Sequence, residues 1–134
     1  MDVVYVARPG GIRVSGHTAG TTYTITGVEA QACDPTERVV EDVAVTLSGA
    51  AESVVDRVDT MWSISTTILE ATEWDMWREL FASAGRGDVV VVYPGAIFGP
   101  IAVGSIIGYI ERHSLTRHGL AGHFAASFVL REPG

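Results

Sequence analysis

Short apolar runs alternate with glycine-rich or polar punctuation along the chain, and the dominant period is two. Leu120, Gly122, Phe124, Ala126, Phe128 and Leu130 fall on one face of an extended segment, and His123, Ser127 and Arg131 fall on the other. Successive strand side chains point to opposite sides, so this spacing predicts a half-buried strand over 120–130 with its aromatics covered. Val43, Val45 and Leu47 alternate with Ala44 and Thr46, which predicts a strand over 42–48. In 61–69, Trp62, Ile64 and Ile68 share a face, with β-branched threonines between them. Tyr23 and Ile25 alternate with threonines in 21–26, and 3–6, 89–93 and 106–110 are short runs of the kind a covered strand shows.

One segment changes period. In 72–85, Trp74, Trp77, Phe81 and Ala84, with Leu80 beside them, form a stripe at helical spacing, while Glu73, Asp75, Glu79 and Ser83 lie off it. Thr72 with Asp75 three residues on reads as a capping pair, and Glu73 and Asp75 suit the positive end of the helix dipole. Gly85 is the expected left-handed stop. The predicted helix therefore covers about 73–84 and packs its tryptophans into a β-structure, with Trp62 against them. The order of strands, one helix, then strands predicts a mainly β, α+β fold. It would be an antiparallel β-sandwich or split barrel with one helix against it, a single β-barrel domain over 1–134.

Composition narrows the class. Glycine supplies 15 of 134 residues against a usual ~7%, as turn-rich β-structure requires. The segments 10–20 and 95–108 are the candidate mobile or partner-binding loops. The longest aliphatic run, Val89–Tyr93, is far short of the ~20 residues of a membrane span. No basic, apolar leader opens the sequence, so the expectation is a soluble protein made in a cytoplasm, with no membrane partner. Acidic residues outnumber basic ones 16 to 9, for a net charge of −7, and every cation is an arginine. Arginines spread singly form no basic stripe for binding duplex phosphates.

Candidate chemistry is sparse. The single cysteine, Cys33, excludes an intrachain disulfide and any multi-cysteine zinc site. It could approach His17, but no local signature marks a reactive thiol. His113, His118 and His123 recur every five residues, with neither the His-x-His nor the His-x-x-x-His spacing of a metal site, and a turn is expected at 117–119. They read as partly exposed strand or turn residues. Gly104-Ser105 lacks the pattern of a nucleophile elbow, and without lysine no phosphate-binding P-loop exists. Glu70, Glu73, Asp75 and Glu79 read as a solvated acidic helix face rather than an acid–base pair. The expectation is no catalytic residue, no bound metal and no cofactor.

The stretch from Asp59 to Ser83, with Trp62-Ser-Ile64 followed by Trp74-Asp-Met-Trp77-Arg78-Glu79-Leu80-Phe81, resembles small β-barrel tail proteins of long-tailed, non-contractile bacteriophages, especially distal tail (baseplate hub) proteins. A tryptophan strand, a Trp-x-x-Trp-Arg-Glu helix, then glycine and a strand ending in Tyr93-Pro94 carry the likeness, and His123–Arg131 is similar to the family's closing strand. The likeness covers about 43–131. Larger relatives carry a second domain and often have phenylalanines in the strand after the helix, where this chain is aliphatic.

The resemblance implies a structural component of the phage virion tail: a distal ring subunit, a hexamer around the DNA channel, contacting tail-tube and hub proteins. A tail-tube subunit is the second expectation, and genome DNA would pass through the lumen without specific binding. From another class stands a small cytoplasmic ligand-binding barrel or metal-dependent enzyme using the His113, His118 and His123 region.

Overall fold

The computed structural model describes residues 1–45, 51–84, 88–95, 104–119 and 122–132, with side chains described outside 38–58. The described residues form β1 (Asp2–Val6), β2 (Thr22–Ile25), β3 (Ala30–Val45) and β4 (Ala51–Thr66). A 3-10 turn at Ala71–Glu73 then leads into α1 (Trp74–Ala84), followed by β5 (Val90–Tyr93), β6 (Ile106–His118) and β7 (His123–Arg131). The strands pair antiparallel in the order β2-β1-β5-β6-β7-β4-β3. The fold is mainly β with one short helix, as expected, and the sheet remains open, with β2 and β3 at its edges. Pro35 lies on the edge strand β3, a place where a missing N–H costs no ladder bond if it faces outward.

β6 joins the two halves. Its first residues pair with β5, from Val92↔Ile106 to Val90↔Gly108, and the remainder pairs with β7, from Tyr109↔Arg131 to His118↔His123. The crossing is crowded: a Cβ on Gly108 would sit 2.8 Å from the Arg131 carbonyl oxygen, so only glycine lets the strands approach there. An irregularity between Ile110 and Arg112 follows immediately and turns the ladder. The sheet thereby bends around one core built from Val3, Tyr5, Ile25, Trp62, Ile64, Val90, Val92, Ile106, Phe124, Phe128 and Leu130.

α1 closes that core. Trp77, Leu80, Phe81 and Ala84 are buried, and Trp77 and Phe81 meet Phe128 at ring separations of 6.2 and 5.9 Å. Burial of a side chain the size of Leu or Phe contributes roughly 1.5–3 kcal/mol, so this stripe is what holds the helix to the sheet. β7 behaves as its period predicts, with Phe124, Ala126, Phe128 and Leu130 buried and His123 exposed; Leu120 lies outside the described residues. Trp62 joins the core and donates its Nε1 to Glu132 at 3.1 Å.

Several expectations need correction. Ile68 does not share the Trp62 face: β4 ends at Thr66, Ile68 is 63% exposed, and Leu69 turns inward to bridge Phe124 instead. Thr72 does not cap α1, because it lies inside the 3-10 turn that precedes the helix, where Glu73 N donates to Glu70 O. The expected stop at Gly85 lies outside the described residues. Of the strands foreseen at 42–48 and 61–69, residues 42–45 and 61–66 belong to two 16-residue strands that pair along their length, Ala30↔Thr66 to Val45↔Ala51; 46–48 lie outside the described residues. The loop expected at 95–108 ends earlier, since Ile106–Gly108 belongs to β6; residues 96–103 lie outside the described residues.

Candidate functional site

The largest departure from the expected surface is Glu79. It is not on a solvated face: it is fully buried, as is Ser83 one turn later, because α1 is gripped on two sides. The apolar stripe meets the sheet, and the Glu79–Ser83 side meets β1 and the segment from Ala7 to Thr21. Glu79 Oε2 accepts from the Tyr5 hydroxyl at 2.6 Å and meets His17 Nδ1 at 2.5 Å. Oε1 accepts from the backbone amides of Arg13 at 3.0 Å and Val14 at 3.2 Å. Ser83 Oγ accepts from Arg8 N, and Arg8 forms a two-pronged ion pair with Asp88.

These contacts set the protonation states. Burial opposes charge on Glu79, but hydrogen bonds from Tyr5, His17 and the two amides outweigh it and hold the carboxyl below its ordinary range. Burial, then the adjacent carboxylate, pushes the Tyr5 hydroxyl well above its ordinary value, so it remains a donor. The His17 ring stacks on Tyr23 at 3.7 Å with planes 5° apart, and the Tyr23 oxygen accepts from Thr18 N. An imidazole oriented by a buried carboxylate resembles the base half of a hydrolase site. Here, however, four donors already fill the roughly four lone-pair positions of a carboxylate, and they pin a loop. The cluster fastens Gly10–Gly20 to the helix.

The histidines named from sequence do not converge. His118 and His123 face each other across the last pair of the β6–β7 hairpin, while His113 pairs with Phe128 in register and stacks on Phe81 at 4.5 Å. All three are exposed, and the strand runs to His118, two residues into the expected turn. Cys33 is buried in β3, its thiol pushed up by burial, and His17 meets Glu79 and Tyr23 instead of it. Among the described residues no group of three or more His, Cys, Asp and Glu side chains could hold a metal ion, and no helix is long and apolar enough to cross a membrane.

Two surface features remain. One is an open groove of about 560 Å³ between α1 and the second half of β6. Trp74, Phe81 and Leu115 line its floor, and Arg13, Arg78 and His113 its rim. Trp74 is only half-buried, unlike Trp77; it meets Phe124 edge-on at 5.1 Å and carries the Arg117 guanidinium 4.8 Å from its ring centre. The other is a β-arm. β4 pairs with β7 only through Met61–Ser65, and the last bond to β7's end is Glu132 N donating to Thr60 O. Beyond it, 51–59 of β4 pairs with β3 alone among the described residues, a two-stranded ribbon of roughly 30 Å at ~3.3 Å per residue.

Sequence reasoning missed both. The run Glu111–His118, whose histidines read as partly exposed strand or turn residues, is not joined to the strand expected at 106–110, and the arm's length depends on pairing that no local period reveals. No protein-family model matches the chain, and a search of curated proteins finds no match.

Proposed function

We propose that this chain is a self-assembling structural subunit of a bacteriophage tail, a ring subunit at the distal end of the tail around the DNA channel. The β3–β4 arm is the observation that supports assembly. An isolated two-stranded ribbon is marginal in water, and an arm that leaves its own sheet is suited to contacts with a neighbour. The open edges of β2 and β3 favour the same reading, since unpaired strand edges attract further strands. The saturated Glu79 cluster offers no free carboxylate for catalysis.

The phage-tail assignment rests on the resemblance of 59–83 to distal tail proteins. A tail-tube subunit is the second reading, favoured by the same arm if rings stack. The partners would be further copies of the chain, a hexamer in the distal ring, together with tube and hub proteins. The net charge of −7 would keep passing DNA from adhering to the lumen wall; a ring whose lumen is lined mainly by arginine would contradict that role.

Light scattering on the purified protein, followed by negative-stain imaging, tests the proposal. Rings with a central hole are the expected species, and stacks of rings would favour the tube reading. A strict monomer at millimolar concentration that also fails to join isolated phage tail components would reject assembly as its function.

A further inference from the structure

The arm and the groove lie in opposite directions along one sheet. β4 leaves β7 beyond the Met61↔Arg131 pair and continues outward to Ala51. The groove residues His113 and Leu115 are level with Phe128 and Ala126, on the way to the hairpin end at His118↔His123. An arm that points away from the groove of its own chain cannot fill it. It can reach the groove of another copy placed head to tail.

The chemistry of the two surfaces is complementary. In the arm sequence 38–58, Glu41, Asp42, Glu52 and Asp56 outnumber Arg38 and Arg57, and valines stand between the charges. The groove has an apolar floor of Trp74, Phe81 and Leu115, half-covered at Trp74 and Leu115. Its rim carries Arg13, Arg78 and His113, with Arg117 over Trp74; Asp75 lies 3.5 Å from Arg78, and the buried Glu79 is held by the Arg13 amide. In a chain of net charge −7, arginines gathered around a groove whose Trp74 and Leu115 are only half-buried call for an anionic, partly apolar occupant.

We propose that the groove between α1 and β6 receives the acidic, valine-rich β3–β4 arm of a neighbouring copy, in a head-to-tail contact that closes into a ring or continues as a tube. Such a contact is heterologous, since each copy gives an arm and receives one, and closure depends only on the rotation between copies. This inference rests on the assembly reading and adds the surface that does the work.

Complementation between two defective chains tests it. One chain has Val40–Arg57 replaced by Asn-Gly, joining the register partners Val39 and Val58 through a two-residue turn. The other keeps its arm and carries Arg78→Glu with Arg117→Glu. Each alone should be monomeric in light scattering, with association at least tenfold weaker than wild type and an unchanged thermal midpoint. Mixed one to one they should give a dimer that grows no further, because one intact arm meets one intact groove. Reversing Glu41, Asp42, Glu52 and Asp56 to arginine in the Arg78→Glu, Arg117→Glu chain should restore self-association.

Wild-type oligomers with an Arg78→Glu, Arg117→Glu chain that assembles equally well would overturn the groove while leaving the assembly reading intact. The groove is overturned in the same way if the mixture stays monomeric while both chains remain folded. A wild-type chain that never associates with itself would remove both.

Discussion

The α1 side of the molecule and the β3–β4 arm are built on opposite principles. Around α1, apolar burial and a polar knot coincide: Trp77, Leu80 and Phe81 fill the core, and from the same turns of the helix Glu79 satisfies two side chains and two amides. Every stabilising partner belongs to the same chain. Beyond Thr60 the arm's strand pairing, among the described residues, is with itself alone. The contrast separates what makes this protein fold from the surface proposed for assembly, and substitutions on the two sides should report on different quantities.

The largest effect is expected at Trp77. Trp77→Ala should destabilise the folded chain by about 3–5 kcal/mol, read as a lowered denaturation midpoint, because a fully buried indole leaves a cavity that the sheet cannot refill. Trp74→Ala should cost clearly less, since its ring is half-buried and lines the groove. Equal losses at the two positions would break the distinction between a core tryptophan and a groove tryptophan.

Glu79 comes next. Glu79→Ala should cost about 2–4 kcal/mol, because it strands the Tyr5 hydroxyl, the His17 ring and two amides without their acceptor. The pH dependence carries a sign. A carboxyl held below its ordinary range binds its proton more weakly folded than unfolded, so acidification favours the unfolded chain. The contribution is complete above the ordinary glutamate range and disappears as pH falls through it to the lowered folded value. Urea midpoints measured from pH 7 to pH 3 should therefore fall more steeply for wild type than for Glu79→Gln. Parallel curves would mean that the carboxylate charge does not matter to the knot.

How much of this was legible follows the same division. β7 and the apolar stripe of α1 could be read because their partners repeat at period two and period 3.6, and burial follows period. Glu79 could not, because a carboxylate between Arg78 and Leu80 has the same sequence signature whether water or a folded loop solvates it. Its signal was indirect: Tyr5 and His17 are donors brought up by β1 and a glycine-rich turn, more than sixty residues away. The arm was foreseen only in fragments. Its central charges masked an alternation that becomes a strand by pairing Arg38 with Asp59 and Val45 with Ala51. The groove depended on β6 continuing as a strand through the polar run 111–118, which its pairing with β7 enforces.

The hairpin histidines should matter little. His118→Ala or His123→Ala removes at most one exposed cross-strand pair, worth roughly 0.2–1 kcal/mol. Assembly should be unaffected, and metal analysis of the purified protein should find no stoichiometric zinc. A bound metal lost with either histidine would revive the metal-dependent reading.

The smallest effect on stability is expected where the effect on assembly is greatest. Replacing Val40–Arg57 by Asn-Gly removes a ribbon whose strands, among the described residues, pair only with each other, so the dilute monomer should keep its urea midpoint to within about 0.5 kcal/mol. The root of the hairpin, from Ala30↔Thr66 to Thr36↔Met61, stays in place and continues to pair with β7. If the shortened chain loses several kcal/mol at concentrations where wild type is monomeric, the arm belongs to the folded body and the contrast between the two regions fails. If stability holds while association vanishes, the arm's free energy is realised between copies. That pairing of outcomes isolates it, because Trp77→Ala and Glu79→Ala lower both quantities together, whereas removing the arm should move only one.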